Sequence, residues 1–112
     1  MDNYKNSLPR LFAALSDPTR LAVVEQLATG AASVSKLSTP FEMAPPSFLK
    51  HLRVLEDAGA VTSEKKGRVR TVSLRPEALS LIAEWVDWHR GPVEARLDRF
   101  GNFLQSESED ER

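Results

Sequence analysis

The stretch from residue 46 to residue 58 constrains this chain more than any other. Phe48, Leu52 and Leu55 recur at spacings of four and three, which puts them on one side of a helix. At about 100° per residue, Lys50 and Arg53 fall on the opposite side. A helix of this kind buries its apolar side in a core and leaves its cations in water. Ahead of it, residues 33–38 suggest a short helix capped by Ser33, holding Val34 and Leu37 and broken by Thr39-Pro40. Phe41 and Met43 lie in the turn between the two helices as apolar plugs. Pro45-Pro46 opens the longer helix, where a missing N–H costs little, although Ala44 before it has no side-chain oxygen to cap with. Ala58-Gly59 ends it. Residues 61–65 and 68–74 then alternate as strands with Gly67 at the turn, and Val72 and Leu74 share a face. The hairpin carries Lys65, Lys66, Arg68 and Arg70 around its tip. A helix anchored on one face with cations on the other, beside a cationic hairpin, can enter a groove of double-stranded DNA and hold the flanking phosphates.

The rest of the chain is helical in pattern. Leu8, Leu11, Phe12 and Leu15 recur with helical spacing, and Ser16-Asp17-Pro18 stops that helix and starts the next. Asp17 is suited to the N-cap and Pro18 to the first helical position. Leu21, Val24, Leu27 and Ala28 are expected to line one face of the second helix, which Gly30 ends. Pro76 opens a last helical region with the apolar stripe Leu79, Ile82, Val86, Val93, Leu97, Phe100 and Leu104. The stripe keeps its phase across Gly91-Pro92, so a kinked helix or two helices end to end is expected. The fold class is mostly α with a small β-hairpin, in the order α-α-α-α-β-β-α. Residues 8–105 are expected to form one domain, with flexible tails at 1–7 and 106–112, the second of them acidic. The stripes of the first and last helices exceed what one small hairpin can cover. A homodimer is therefore expected, with Leu8, Leu11, Phe12, Leu79, Ile82, Val86, Val93, Leu97, Phe100 and Leu104 at its seam.

Charge is divided unevenly. Residues 1–44 are neutral, residues 45–75 carry +4 from seven cations against three acids, and residues 76–112 carry −5 from nine acids against four arginines. A polyanion would meet the middle of the chain. The absence of cysteine excludes disulfides and thiolate metal sites and fits a cytoplasmic protein. No apolar run is long enough to cross a membrane, so no membrane partner is expected. An enzyme is not expected. There is no glycine-rich phosphate loop and no nucleophile motif, and His51 and His89 are isolated from each other in sequence. His51 reads as a helix-flank residue serving a neighbour or a phosphate. Ser47 and Leu49 can touch base edges, Leu49 against thymine methyls. Trp85 and Trp88 are read as too close in sequence to share a helix face; one is expected in the core or the dimer seam, and for the other packing is favoured over rimming an effector pocket.

The element order is that of a winged helix-turn-helix. Leu11-Phe12-Ala13-Ala14-Leu15-Ser16-Asp17-Pro18-Thr19-Arg20-Leu21 resembles the opening signature of the ArsR/SmtB family of bacterial transcriptional repressors. Residues 43–61, with Lys50-His51-Leu52-Arg53-Val54-Leu55-Glu56-Asp57-Ala58-Gly59, resemble its recognition helix, and Lys66-Gly67-Arg68 its wing tip. The resemblance implies a homodimer built on the first and last helices, with two recognition helices in successive major grooves of a palindromic operator. Pro46, Ser47, Leu49, Lys50, His51 and Arg53 would then face DNA from the recognition helix, and Lys65, Lys66, Arg68 and Arg70 from the wing.

The sequence also departs from that family. Ser33-Val34-Ser35 stands where metal-sensing members carry two cysteines. Asp87-Trp88-His89 matches the first half of another zinc motif, but Phe100 and Phe103 stand where its later ligands are expected. The chain thus resembles a metal-independent branch, with no metal and no cofactor expected. Leu49 replaces a serine found in many relatives on the base-reading side. A small-molecule effector, a role as activator, and a winged helix that binds protein instead of DNA all remain open at this point.

Overall fold

The computed structural model describes residues 3–110. It contains α1 (Asn3–Leu15), α2 (Pro18–Leu27), β1 (Ala32–Ser33), α3 (Val34–Ser38), α4 (Pro45–Asp57), β2 (Val61–Lys66), β3 (Val69–Leu74) and α5 (Pro76–Asp110). The chain divides into two units, one ending at Leu81 and one starting at Ile82.

Caps set the helix starts in the first unit. The Asp17 carboxylate accepts the backbone N–H of Arg20 at 3.0 Å, and Pro18 follows at the first position of α2. That N–H holds the Asp17 carboxyl below its ordinary pKa. Ser33 Oγ accepts the Lys36 N–H at 3.2 Å and starts α3. Ala44 gives α4 no side-chain cap, as its methyl requires. The end of α4 is tightly closed. Gly59 N–H donates to the Glu56 carbonyl at 3.0 Å and Ala60 N–H to the Leu55 carbonyl at 2.9 Å. This pair of bonds turns on Gly59 at φ +83°, a conformation that a β-carbon disfavours.

The three strands form one antiparallel sheet in the order β1-β3-β2. β1 was not expected. It is two residues long, too short to show a period, and exists because Ala32 and Ser33 pair with Val72 and Thr71 of β3. The element order is therefore α-α-β-α-α-β-β-α. The hairpin turns at Gly67, φ +63°, with Lys66 across from Val69. The Arg75 N–H donates to the Ala60 carbonyl at 3.0 Å and closes the base of the wing.

The core of this unit comprises Leu8, Leu11, Ala14, Val23, Leu27, Leu37, Phe48, Leu52, Leu55, Ala60, Val61, Val72 and Ala78. Each large side chain among them contributes about 1.5–3 kcal/mol of hydrophobic stabilisation relative to exposure. All three apolar anchors of α4 are in this core, and the Phe41 ring packs 5.6 Å from that of Phe48.

Three expectations are corrected here. The buried pair on α2 is Val23 and Leu27, while Leu21 is 42% exposed and Ala28 is exposed too. The run Leu-Ala-Val-Val offers apolar residues on several sides, and tertiary packing chose the phase. Leu8 and Leu11 are buried core residues, so they have almost no surface left for a dimer seam; Phe12, 40% exposed, retains some. α1 begins at Asn3, ahead of Leu8, and carries Pro9 within it.

The second unit is the remainder of α5. The helix runs through Gly91-Pro92 to Asp110, past residue 105, so the alternative of two separate helices does not hold. No residue from 82 to 107 is buried. Trp85 and Trp88 are both exposed, the latter by 79%, so neither lies in a core of this chain. Being three apart, they stand about 60° from each other, on one side of the helix. The expected seam residues Val86, Val93, Leu97, Phe100 and Leu104 are all exposed, as is Phe103; Ile82 is half-buried. Among the described residues, no helix is long and apolar enough to cross a membrane.

Candidate nucleic-acid interface

The anchoring of α4 decides what it offers to solvent. With Phe48, Leu52 and Leu55 buried, Pro46, Ser47, Leu49, Lys50 and Arg53 are all exposed. Leu49 is 45% exposed, a large apolar side chain in water beside cations. His51 is placed differently. It is half-buried, with Nδ1 3.2 Å from Arg20 Nη1 and 3.7 Å from Asp17 Oδ2, against the start of α2.

The wing cations do not form one patch. The pairing register puts Ser63 across from Val72 and Lys65 across from Arg70, on the sheet face whose Val61 and Val72 enter the core. Lys66 alternates to the other face, and Arg68 sits at the turn beside Gly67. Lys65 and Arg70 are like charges directly opposite each other, an arrangement that destabilises a bare hairpin and that an anion relieves.

Two clefts lie between the wing and the helices. One, of about 290 Å³, is lined by Leu49, Arg53, Glu56, Ser63, Arg70 and neighbouring apolar residues. The other, of about 400 Å³, joins Ser33, Val34, Ser35 and Leu49 to Lys65, Arg68, Val69 and Arg70. Arg70 Nη1 donates to Ser63 Oγ at 3.0 Å, and Ser63 Oγ donates to Glu56 Oε2 at 3.3 Å. This relay ties the wing to α4 and holds Arg70 toward the helix. Leu49, Arg53, Lys65, Arg68 and Arg70 thus gather along clefts shared by α3, α4 and the wing.

Sequence reasoning missed Arg20, Glu56 and Ser63. For Arg20 a signal existed: it is a cation in the first turn of a helix, where the macrodipole disfavours positive charge. A residue kept there needs another partner. Glu56 and Ser63 gave no such sign, because their meeting depends on how the hairpin folds back over α4.

Asp87 and His89 both lie on α5. His89 Nδ1 donates to the Trp85 carbonyl at 2.8 Å, and its ring lies 4.4 Å from that of Trp85. Among the described residues, no group of three or more metal-ligating side chains comes together.

A helix anchored by one apolar face, cationic on the other and flanked by a basic wing, defines the winged helix-turn-helix DNA-binding regulators. Residues 15–64 match the family model of a helix-turn-helix domain. Over 112 residues the chain is 32% identical to the HTH-type transcriptional regulator Rv2034 of Mycobacterium tuberculosis, covering 98% of this chain and 99% of that protein. It is 31% identical over 85 residues to the arsenical resistance operon repressor of Staphylococcus xylosus, covering 76% and 81% of the two chains. Among solved structures, an ArsR family transcriptional regulator, RHA00566, matches with a TM-score of 0.76 at 42% identity, covering 84% of this chain and 97% of that one. The chain belongs to the ArsR family of helix-turn-helix transcriptional regulators, which bind double-stranded DNA and are not enzymes.

Proposed function

We propose that the chain is a homodimeric, cytoplasmic repressor that reads a palindromic operator without metal control. The observation that carries the DNA-reading half is the division of α4: Phe48, Leu52 and Leu55 buried, Leu49, Lys50 and Arg53 exposed beside the wing. Base choice is assigned to Ser47, Leu49, Lys50 and Arg53. Lys65, Lys66, Arg68 and Arg70 supply phosphate contacts with little sequence preference. The dimer half is supported by the exposed stripe from Leu79 to Leu104 on α5. Two copies facing each other along that stripe would remove it from water and place two recognition helices for two half-sites.

Metal independence is supported by chemistry. The chain has no cysteine, and Ser33 and Ser35 are poor zinc ligands at a position otherwise suited to thiolates. Asp87 and His89 alone fall short of the three or four protein ligands of a stable zinc site. Repression fits a protein that acts by covering DNA.

Selection of bound fragments from genomic DNA, followed by footprinting, tests this reading. The expected result is a protected inverted repeat with half-sites about 10–10.5 base pairs apart, or a multiple of that spacing, overlapping a promoter. Zinc, cadmium and arsenite should leave the footprint unchanged. A footprint on one half-site only, or stoichiometric release by metal that is lost in His89→Ala, would refute the corresponding part.

A further inference from the structure

Arg20 makes two side-chain bonds that join three helices. Its Nε donates to the Ala14 carbonyl in α1 at 2.7 Å, and its Nη1 lies 3.2 Å from Nδ1 of His51 in α4. A guanidinium donates and never accepts, so Nδ1 of His51 must be the acceptor. The ring proton then sits on Nε2. Asp17 Oδ2 is 3.7 Å from Nδ1, too far for a hydrogen bond, and it already accepts the Arg20 backbone N–H at 3.0 Å.

Among the described residues, His51 Nε2 has no hydrogen-bond partner. Among the described residues, no side-chain nitrogen or oxygen is both buried and unpartnered. The Nε2–H of this half-buried histidine therefore reaches solvent. It does so from the helix that presents Lys50 and Arg53, one residue after Lys50.

We infer that the Nε2–H of His51 donates to a DNA phosphate at the flank of the recognition helix, and that Arg20 is the positioning residue that sets its tautomer and ring orientation. The inference rests on the DNA-binding reading above. A neutral N–H held in place is a register-setting contact, because it aligns the helix on the backbone without reading a base. It also differs from the lysines and arginines in one measurable way. It adds affinity without displacing a counterion, so it leaves the salt dependence alone.

The test uses the full chain and a fluorescent mixed-sequence duplex of about 30 base pairs, long enough for two half-sites a helical turn apart. A phosphate contact is independent of sequence, so no operator is needed. Variants are first confirmed folded by thermal unfolding. His51→Ala should weaken binding roughly tenfold, the scale of one hydrogen bond to a charged group, with an unchanged slope of log K against log salt. His51→Gln has a carboxamide with an acceptor for Arg20 and an N–H for phosphate, and should recover most of the loss. Arg20→Lys keeps the charge but cannot hold both partners. It should weaken binding in the native background and add nothing in the His51→Ala background. A purely structural role for Arg20 would lower stability in both backgrounds and leave the two losses in binding additive.

Unchanged affinity in His51→Ala overturns the phosphate contact. Additive losses overturn the positioning role. A native protein that binds no duplex overturns the DNA-binding reading itself, and is distinguishable from both.

Discussion

Residues 3–81 and residues 82–110 are built on opposite terms. Among the described residues, the first region holds the buried apolar core, from Leu8 to Ala78. The second has no fully buried residue between 82 and 107, yet it carries Trp85, Val86, Trp88, Val93, Leu97, Phe100, Phe103 and Leu104. A helix whose apolar residues stay exposed gains little from folding alone, since most helical stability comes from packing an apolar face. The first region therefore has the means to hold its recognition surface rigid. On the proposed reading, the second is covered by a second copy of the chain.

The largest expected effect breaks the comparison from the core side. Phe48→Ala should lower stability by about 3–5 kcal/mol in chemical denaturation, by opening a cavity behind α4. Leu97→Ala, 62% exposed in the single chain, should cost little in the same assay at high dilution and more as concentration rises. Equal, concentration-independent losses would mean that both regions are packed alike. Next in size is Arg53→Ala. If Arg53 reads a base, the operator complex should weaken by about 1–3 kcal/mol and choice should relax at one base pair per half-site. A uniform loss on operator and random duplex would move Arg53 to the phosphates.

Smaller effects sharpen the division within the wing. Lys65 shares a face with Arg70 on the α4 side, whereas Lys66 points to the other face. Lys65→Gln should lower the salt slope by about 0.9 for its lost phosphate, and Lys66→Gln by less. Equal changes in titrations across salt would show that both faces of the hairpin meet DNA. The smallest effect concerns the start of α2. The Arg20 N–H holds the Asp17 carboxyl below its ordinary pKa, so its contribution is present above the usual carboxylate range and fades as pH falls through the lowered folded value. Asp17→Asn keeps a capping oxygen and removes that titration. Its unfolding curve should depend less on pH in the acid range than that of the native chain.

Local chemistry was legible in the sequence; long-range meetings were not. Asp17 and Ser33 cap as their side chains dictate, and Phe48, Leu52 and Leu55 are buried as their spacing requires. Gly67 turns the hairpin because only a short list of residues tolerates its φ. The strand at Ala32 and Ser33 left no trace, since its only cause is pairing with β3. The face of α2 was misread because Leu21 and Val23 are both apolar and only packing separates them. Leu8 and Leu11 were placed at a seam because periodicity shows that a face is buried without saying against what. His51 was recognised as a helix-flank residue, but its bond to Arg20 spans 31 positions and has no local signature.

Sedimentation equilibrium of the native chain at micromolar concentration tests the central contrast most directly, with Leu97→Asp/Phe100→Asp beside it. The expected native species has twice the chain mass of 12.5 kDa. The variant, with charge placed in the α5 stripe and the core of residues 3–81 untouched, should sediment as a folded monomer. A native chain that remains monomeric at 12.5 kDa would contradict the account, because the exposed residues of α5 would then have no second copy to cover them.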